Sequence, residues 1–168
     1  MGSKRLLKDK IILIVDDEPD VLDTVAEQLD MCQIYKAKDY DSALQLLASY
    51  TFDIVILDIM GVEGFELLKH SVSRGFPTVM LTAHALTPEA LKKSIKLGAV
   101  SFLPKEKMPE IEFYLEDVVL GGGASIWAKL FDKLESFFSK RFGPDWKERD
   151  AFFREFGNEL KGNPTESS

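Results

Sequence analysis

The chain has 168 residues, 45% hydrophobic and 29% charged, with a net charge of −7; this suits one ordinary domain plus an extension. Residues 1–120 carry 13 Lys/Arg against 20 Asp/Glu and residues 121–168 carry eight of each, so neither part has the basic footprint of a DNA or RNA binder. Cys32 is the sole cysteine, which excludes an intramolecular disulfide, and no apolar run approaches a membrane span, so a reducing cytoplasm is the expected setting.

The basic start, Met1 to Lys10, precedes only five apolar residues, Ile11 to Val15. That run is too short for a signal-peptide core and reads as a buried strand ending in Asp16-Asp17. Pro19 suits a first helical turn, and Val21, Leu22, Val25 and Leu29 recur at helical spacing. Gln33–Ala37 is the weakest strand, expected beside an edge. Asp39 or Asp41 caps a second helix containing Ala43, Leu44, Leu46 and Leu47. Phe52–Leu57 is nearly another such run, interrupted by Asp53 and ending in Asp58. Phe65, Leu67 and Leu68 mark a short third helix, with His70 on its solvated side. Pro77–Leu81 is another run, ending in Thr82. Pro88 opens a fourth helix that carries Leu91, Ile95 and Leu97 and stops at Gly98. Its Lys92, Lys93 and Lys96 form a basic stripe, read as a solvated face. Val100–Leu103 ends near Lys105, and Pro109 to Leu120 reads as a fifth helix.

Apolar runs without alternation fit strands buried on both faces, hence a parallel sheet covered by helices. Five strands alternating with five helices predict an α/β fold, a five-stranded parallel doubly wound sheet. Gly121-Gly122-Gly123 interrupts the pattern. Two amphipathic stretches follow, about 124–142 and 145–160, split by Gly143-Pro144. The expected divisions are a domain over 8–120, a two-helix extension over 121–160 and a disordered tail over 161–168.

Ligands of doubly wound sheets sit outside the carboxyl ends of the strands. The residues there are Asp16, Asp17, Asp58, Thr82 and Lys105. Three carboxylates brought together repel, so a Mg²⁺ ion and one lysine are expected to compensate them. Such a site suits a phosphoryl group. Asp58 serves as nucleophile, Mg²⁺ and Lys105 neutralise charge on the transferring group, and Thr82 donates a hydrogen bond.

Four segments make residues 8–120 resemble the response-regulator receiver domains of two-component signalling. They are Ile14-Val15-Asp16-Asp17-Glu18-Pro19, Phe52 to Asp58, Met80-Leu81-Thr82-Ala83, and Gly98 to Lys105. The resemblance implies a flavodoxin-like strand order, 2-1-3-4-5. It implies that Asp58 takes a phosphoryl group from a sensor histidine kinase or a phosphotransfer protein. Asp16, Asp17, Asp58 and the backbone carbonyl of Met60 would hold Mg²⁺, Thr82 and Phe102 would form a switch, and the fourth helix with its Lys92, Lys93 and Lys96 stripe would belong to the family's signalling surface. His84 falls at a position that tunes phosphate loss in the family, although an exposed loop histidine is the simpler reading. No enzymatic turnover is expected beyond the domain's own phosphorylation and slow dephosphorylation.

The sequence departs from the family in three places. The loop Asp58-Ile59-Met60-Gly61-Val62-Glu63-Gly64 is two residues short and lacks a proline, which should shift the third helix. Glu106 follows Lys105 where the family has a proline after a cis peptide, which should alter that loop. Phe102 replaces the frequent tyrosine, so a switch there works by packing alone.

The extension holds nine of the 18 aromatic residues, from Trp127 to Phe156. At roughly 150–250 Å² each they carry well over ~1,000 Å² of apolar surface, more than a two-helix hairpin can cover. The extension is too short for a winged-helix output domain and has no basic recognition helix. It is expected to pack on its own receiver or, through residues 124–160, in a homodimer. Three functions stay open: a phosphorylation-controlled interaction protein, a metal-dependent phosphate-handling enzyme, and a degenerate receiver that only binds. Dehalogenase-like phosphatases need a second Asp two residues after the nucleophile, and Met60 stands there.

Overall fold

The computed structural model describes residues 6–83 and 86–161, so His84 and the part of the expected tail beyond 161 lie outside the described residues. Five parallel strands, β1 Ile11–Val15, β2 Gln33–Ala37, β3 Ile54–Asp58, β4 Thr78–Thr82 and β5 Ser101–Pro104, form one sheet in the order 2-1-3-4-5. Between them run α1 Pro19–Gln28, α2 Tyr40–Ser49, α3 Gly64–Ser73 and α4 Pro88–Lys96, with α5 Ile111–Leu120 after β5. β3 and β4 are buried at every position, which is why their sequences do not alternate. β2 lies at an edge and exposes Gln33 and Lys36, which accounts for its weak apolar signal.

Local chemistry sets the helix starts. Asp39 accepts a hydrogen bond from the Ser42 N–H at 2.8 Å, so Asp39 rather than Asp41 caps α2. Thr87 caps α4 in the same way, with Pro88 in the first turn. The fifth helix begins later than Pro109. Residues Lys105–Glu110 form a 3₁₀ turn first, because Pro109 has no N–H for an α-helical ladder.

After Gly121–Gly123 come α6 Ala124–Phe142, α7 Trp146–Arg149 and α8 Ala151–Leu160. The stretch expected as one helix over 145–160 is therefore two. Asp150 takes an extended conformation between them, and its carboxylate accepts from the Phe152 N–H at 2.7 Å, capping α8.

The aromatic stripe folds back on the same chain. Trp127, Leu130, Phe131, Leu134, Phe138, Phe142, Trp146 and Phe153 are all buried and continuous with the sheet core. The Phe138 ring lies 6.4 Å from that of Phe102 on β5. The burial argument for a homodimer through 124–160 thus loses its premise, since the receiver covers the face. Light scattering of the full chain without phosphodonor, at tens of micromolar, is expected to return the monomer mass of 18.9 kDa; a value near twice that would mean the aromatic face is shared between copies. Among the described residues no helix is long and apolar enough to cross a membrane.

Candidate functional site

Strand register decides which side chains meet. Val15 pairs with Ala37 on one side and Leu57 on the other, Asp58 pairs with Leu81, and Thr82 pairs with Pro104. Asp16, Asp58, Thr82 and Lys105 end or directly follow these strands. They therefore emerge at one level along the carboxyl edge of the sheet. Asp16, Asp58 and Thr82 are buried there, while Asp17 is exposed.

Lys105 ties the group together. Its Nζ lies 2.8 Å from Asp16 Oδ2, 3.4 Å from Asp58 Oδ1 and 2.7 Å from Glu18 Oε1. The other Asp16 oxygen accepts from the Glu18 N–H at 2.9 Å. Glu18 is the residue that sequence reasoning missed. It follows the acidic pair directly but sits in the loop before α1, where spacing alone gives no sign that it bends back to the lysine.

The electrostatics follow from burial. Burial pushes the Asp58 carboxyl up to about 7, with the negative charge of Asp16 adding to the effect and Lys105 opposing it. Asp16 is also raised, by burial first, against the hydrogen bonds from Lys105 and the Glu18 backbone. Burial by itself lowers the Lys105 ammonium, but its hydrogen bonds to Asp16 and Glu18 outweigh that and hold it above the usual lysine range. Lys105 thus pairs with three carboxylates, with Asp17 beside them, an excess of negative charge that favours a proton or a divalent cation.

The donors fit a hard cation. Oxygens of Asp16, Asp17 and Glu18 lie within 4.8 Å of one another. A cleft of ≈310 Å³ beside them is lined by Asp17, Glu18, Asp58, Met60 and Gly61. All these groups offer oxygen, as Mg²⁺ prefers. The tight set contains Glu18 where the sequence suggested Asp58, which faces the same cleft and reaches Asp16 through Lys105.

The short loop after Asp58 is built around two glycines. Gly61 has φ +86°, and a Cβ placed on it would lie 2.5 Å from Asp17 Oδ2. This close approach brings the Met60–Gly61 backbone beside the Asp17 carboxylate. Gly64 opens α3, and a Cβ there would fall 2.1 Å from the Asp58 carbonyl oxygen. Glu63 before it takes a left-handed φ of 54°. The loop thus closes in five residues, Ile59 to Glu63, by letting helix α3 touch the β3 backbone. After Lys105 the peptide to Glu106 is trans. Phe102 is fully buried, and its ring faces Phe138 of the extension.

A family model described as the response regulator receiver domain matches residues 12–113. The phosphate regulon transcriptional regulatory protein PhoB of Escherichia coli is 33% identical over 107 residues, which is 59% of this chain and 46% of that protein. The two-component response regulator ARR18 of Arabidopsis thaliana is 35% identical over 100 residues, 56% of this chain and 16% of that protein. This chain thus spans about half the length, or less, of these curated relatives. Among solved structures, the chemotaxis response regulator CheY4 of Vibrio cholerae superposes with a TM-score of 0.59 at 27% identity, over 67% of this chain and 99% of that one.

Proposed function

The chain belongs to the response regulator receiver domain family, and from that premise we propose that it accepts a phosphoryl group on Asp58 and relays the event through protein contacts. The observation that carries this reading is the placement of Asp58 at a carboxyl strand end, with Lys105 Nζ at 3.4 Å, where it lines the cleft it shares with Asp17 and Glu18. Asp58 is the nucleophile. One of its carboxylate oxygens attacks phosphorus, and the bond from phosphorus to the donor breaks. With a phosphohistidine donor, that bond's electron pair returns to the imidazole nitrogen. The donor is a sensor histidine kinase or a phosphotransfer protein.

Asp16, Asp17 and Asp58, with the Met60 carbonyl, hold Mg²⁺ in this reading, and Glu18 borders the same site. The ion, when bound, supplies positive charge to the oxygens of the transferring group. The chain's own residues do the rest. Lys105 exchanges carboxylate partners for a phosphoryl oxygen, and the Thr82 hydroxyl donates to another. Turnover is confined to the domain's own phosphoryl group. A homodimer through 124–160 enters this reading only after the extension has left the receiver face.

Incubation of the full chain with Mg²⁺ and acetyl phosphate, followed by intact mass, tests the proposal. A single phosphoryl adduct, lost on treatment with hydroxylamine and absent when Mg²⁺ is chelated, is the expected result. An unmodified mass at saturating donor overturns it.

A second expectation concerns Gly61. In Gly61→Ala the new methyl meets the Asp17 carboxylate, and a positive φ is strained for alanine. Asp17 must then move away from the metal site. The Mg²⁺ concentration for half-saturation, followed by calorimetry, is expected to rise about tenfold, equivalent to about 1.4 kcal/mol of lost binding. An unchanged titration removes Asp17 and this loop from the metal site.

A further inference from the structure

We infer that the C-terminal helices are a resident partner of the receiver, docked across α4, β5, the turn after it and α5, and that phosphorylation of Asp58 loosens them. The inference rests on the phosphoacceptor reading above.

Three contacts join the extension to segments that leave the site. The first adjoins Lys105. Glu106, the next residue, pairs with Arg141 of α6 at 2.5 Å, and Lys107 Nζ lies 5.6 Å from the Phe137 ring centre. The second is on β5, where Phe102 packs against Phe138. The third is on α4, which follows β4 and Thr82. Lys92 pairs with Asp150, and Lys96 Nζ lies 5.3 Å from the Phe152 ring centre. Lys92 and Lys96 of the α4 basic stripe therefore grip α8, while Lys93 lies over the Phe65 ring of α3. On α5, Asp117 pairs with Lys133 at 2.8 Å, which closes the outer rim.

These contacts fit one arrangement of the site. Lys105 here is bound to Asp16 and Glu18. A phosphoryl group on Asp58 brings new oxygens within its reach and competes with the exposed Glu18 carboxylate. Lys105 directly precedes the Glu106 and Lys107 grips, so any backbone shift that accompanies its turn toward the phosphoryl oxygens reaches both contacts. Interlocked rings such as Phe102, Phe131, Phe138 and Trp146 do not deform continuously, so a shift at one edge favours undocking over gradual adjustment.

Two further features suit a releasable docking. Gly121, Gly122 and Gly123 all have positive φ, from +49° to +102°, a run that only glycine adopts readily and that forms a hinge at the junction. The buried Trp146 Nε1 has no hydrogen-bond acceptor among the described residues. Its indole N–H regains hydration when α7 leaves the ring cluster, which limits the strength of docking.

Coupling between two sites is reciprocal. If phosphorylation weakens docking, weaker docking must favour the phosphorylated state by the same factor. Trp127 and Trp146 are the chain's two tryptophans and both are buried in the extension, so fluorescence reports on this segment alone.

The test uses the full chain with Mg²⁺ and beryllofluoride as a phosphoryl mimic. Acrylamide quenching of the tryptophans and hydrogen exchange over residues 124–160 are expected to increase at least about fivefold on saturation, within the usual range of coupling between sites. Arg141→Glu reverses a rim charge without touching the core. It is expected to raise both signals before any addition and to lower the half-saturating beryllofluoride concentration about fivefold. Glu106→Arg in that background should restore both. Intact mass after acetyl phosphate treatment separates the two levels of the argument. Full labelling with quenching and exchange unchanged overturns the coupling while leaving Asp58 as acceptor. No labelling in either the native chain or Arg141→Glu overturns both. A Glu106→Arg partner that restores nothing removes the rim pair from the mechanism and overturns the reciprocal route.

Discussion

Asp58→Asn is expected to abolish the phosphoryl adduct entirely while making the metal-free protein more stable. The first effect follows from losing the nucleophilic oxygen: an amide does not attack phosphorus, and among the described residues lining the cleft Asp58 is the buried carboxylate, whereas Asp17 and Glu18 are exposed. The second follows from the carboxyl being pushed up to about 7 by burial and by Asp16. Its proton is held more tightly in the folded chain than in the unfolded one, so the ionised form opposes folding. Below about pH 3 both states are largely protonated and the variant gains little. As the pH rises through 7 the native protein loses stability that the variant keeps. By pH 8 the difference should reach about 1–2 kcal/mol, with the denaturation midpoint of the variant several degrees higher in EDTA. Mg²⁺ should narrow the gap by stabilising only the native protein. Residual labelling at full stoichiometry would point to another acceptor. Equal midpoints at pH 8 would mean that the charge of Asp58 is already neutralised without metal.

Much of this architecture is legible in the order of residues alone. The unbroken apolar run Ile11–Val15 and the largely apolar Pro77–Leu81 announce strands covered on both faces, and each of the five strands falls where a run or its weaker counterpart lies. Acidic residues directly after such runs locate the site, because a parallel doubly wound sheet sends all its strand ends to one side. What stays concealed depends on long-range closure. Glu18 reaches Lys105 across 87 positions of sequence, and no local pattern encodes that bond. Lys92 and Lys96 resemble a wet stripe because their partners, Asp150 and Phe152, lie more than fifty residues away. The break at Asp150 is in principle readable, since an aspartate before Ala-Phe-Phe is a helix cap. The continuous aromatic spacing around it hides that signal. The destination of the aromatic stripe is not readable at all, because a second copy and the chain's own β5 bury the same rings equally well.

Lys105→Met should cost the metal-free fold more than any single change at the rim. The side chain keeps its length and loses its charge, so packing is nearly preserved and the effect is electrostatic. Lys105 is the nearest cation to Asp16, whose side chain is fully buried, and to Asp58, which is almost so. Removing one partner from a buried ion pair leaves the other uncompensated, at a cost of about 3–5 kcal/mol for a fully enclosed pair. This site opens to solvent at Glu18 and Asp17, and Asp58 can retain a proton, so about 2–3 kcal/mol is the expected loss near pH 7. Urea unfolding in EDTA should show it as a lower midpoint with an unchanged slope. Millimolar Mg²⁺ should restore a large part, since a divalent cation beside the same oxygens replaces the missing charge. The carboxylate nucleophile is intact, so the variant should still take up phosphate from acetyl phosphate in Mg²⁺. The consequence of uptake should differ. Without the ammonium there is no partner exchange at Lys105 to displace residues 105–107, and the tryptophans of the extension should stay shielded after labelling. A labelled Lys105→Met chain whose tryptophans open as far as those of the native protein would show that the signal leaves Asp58 by another path, with Thr82 and α4 as the remaining connection.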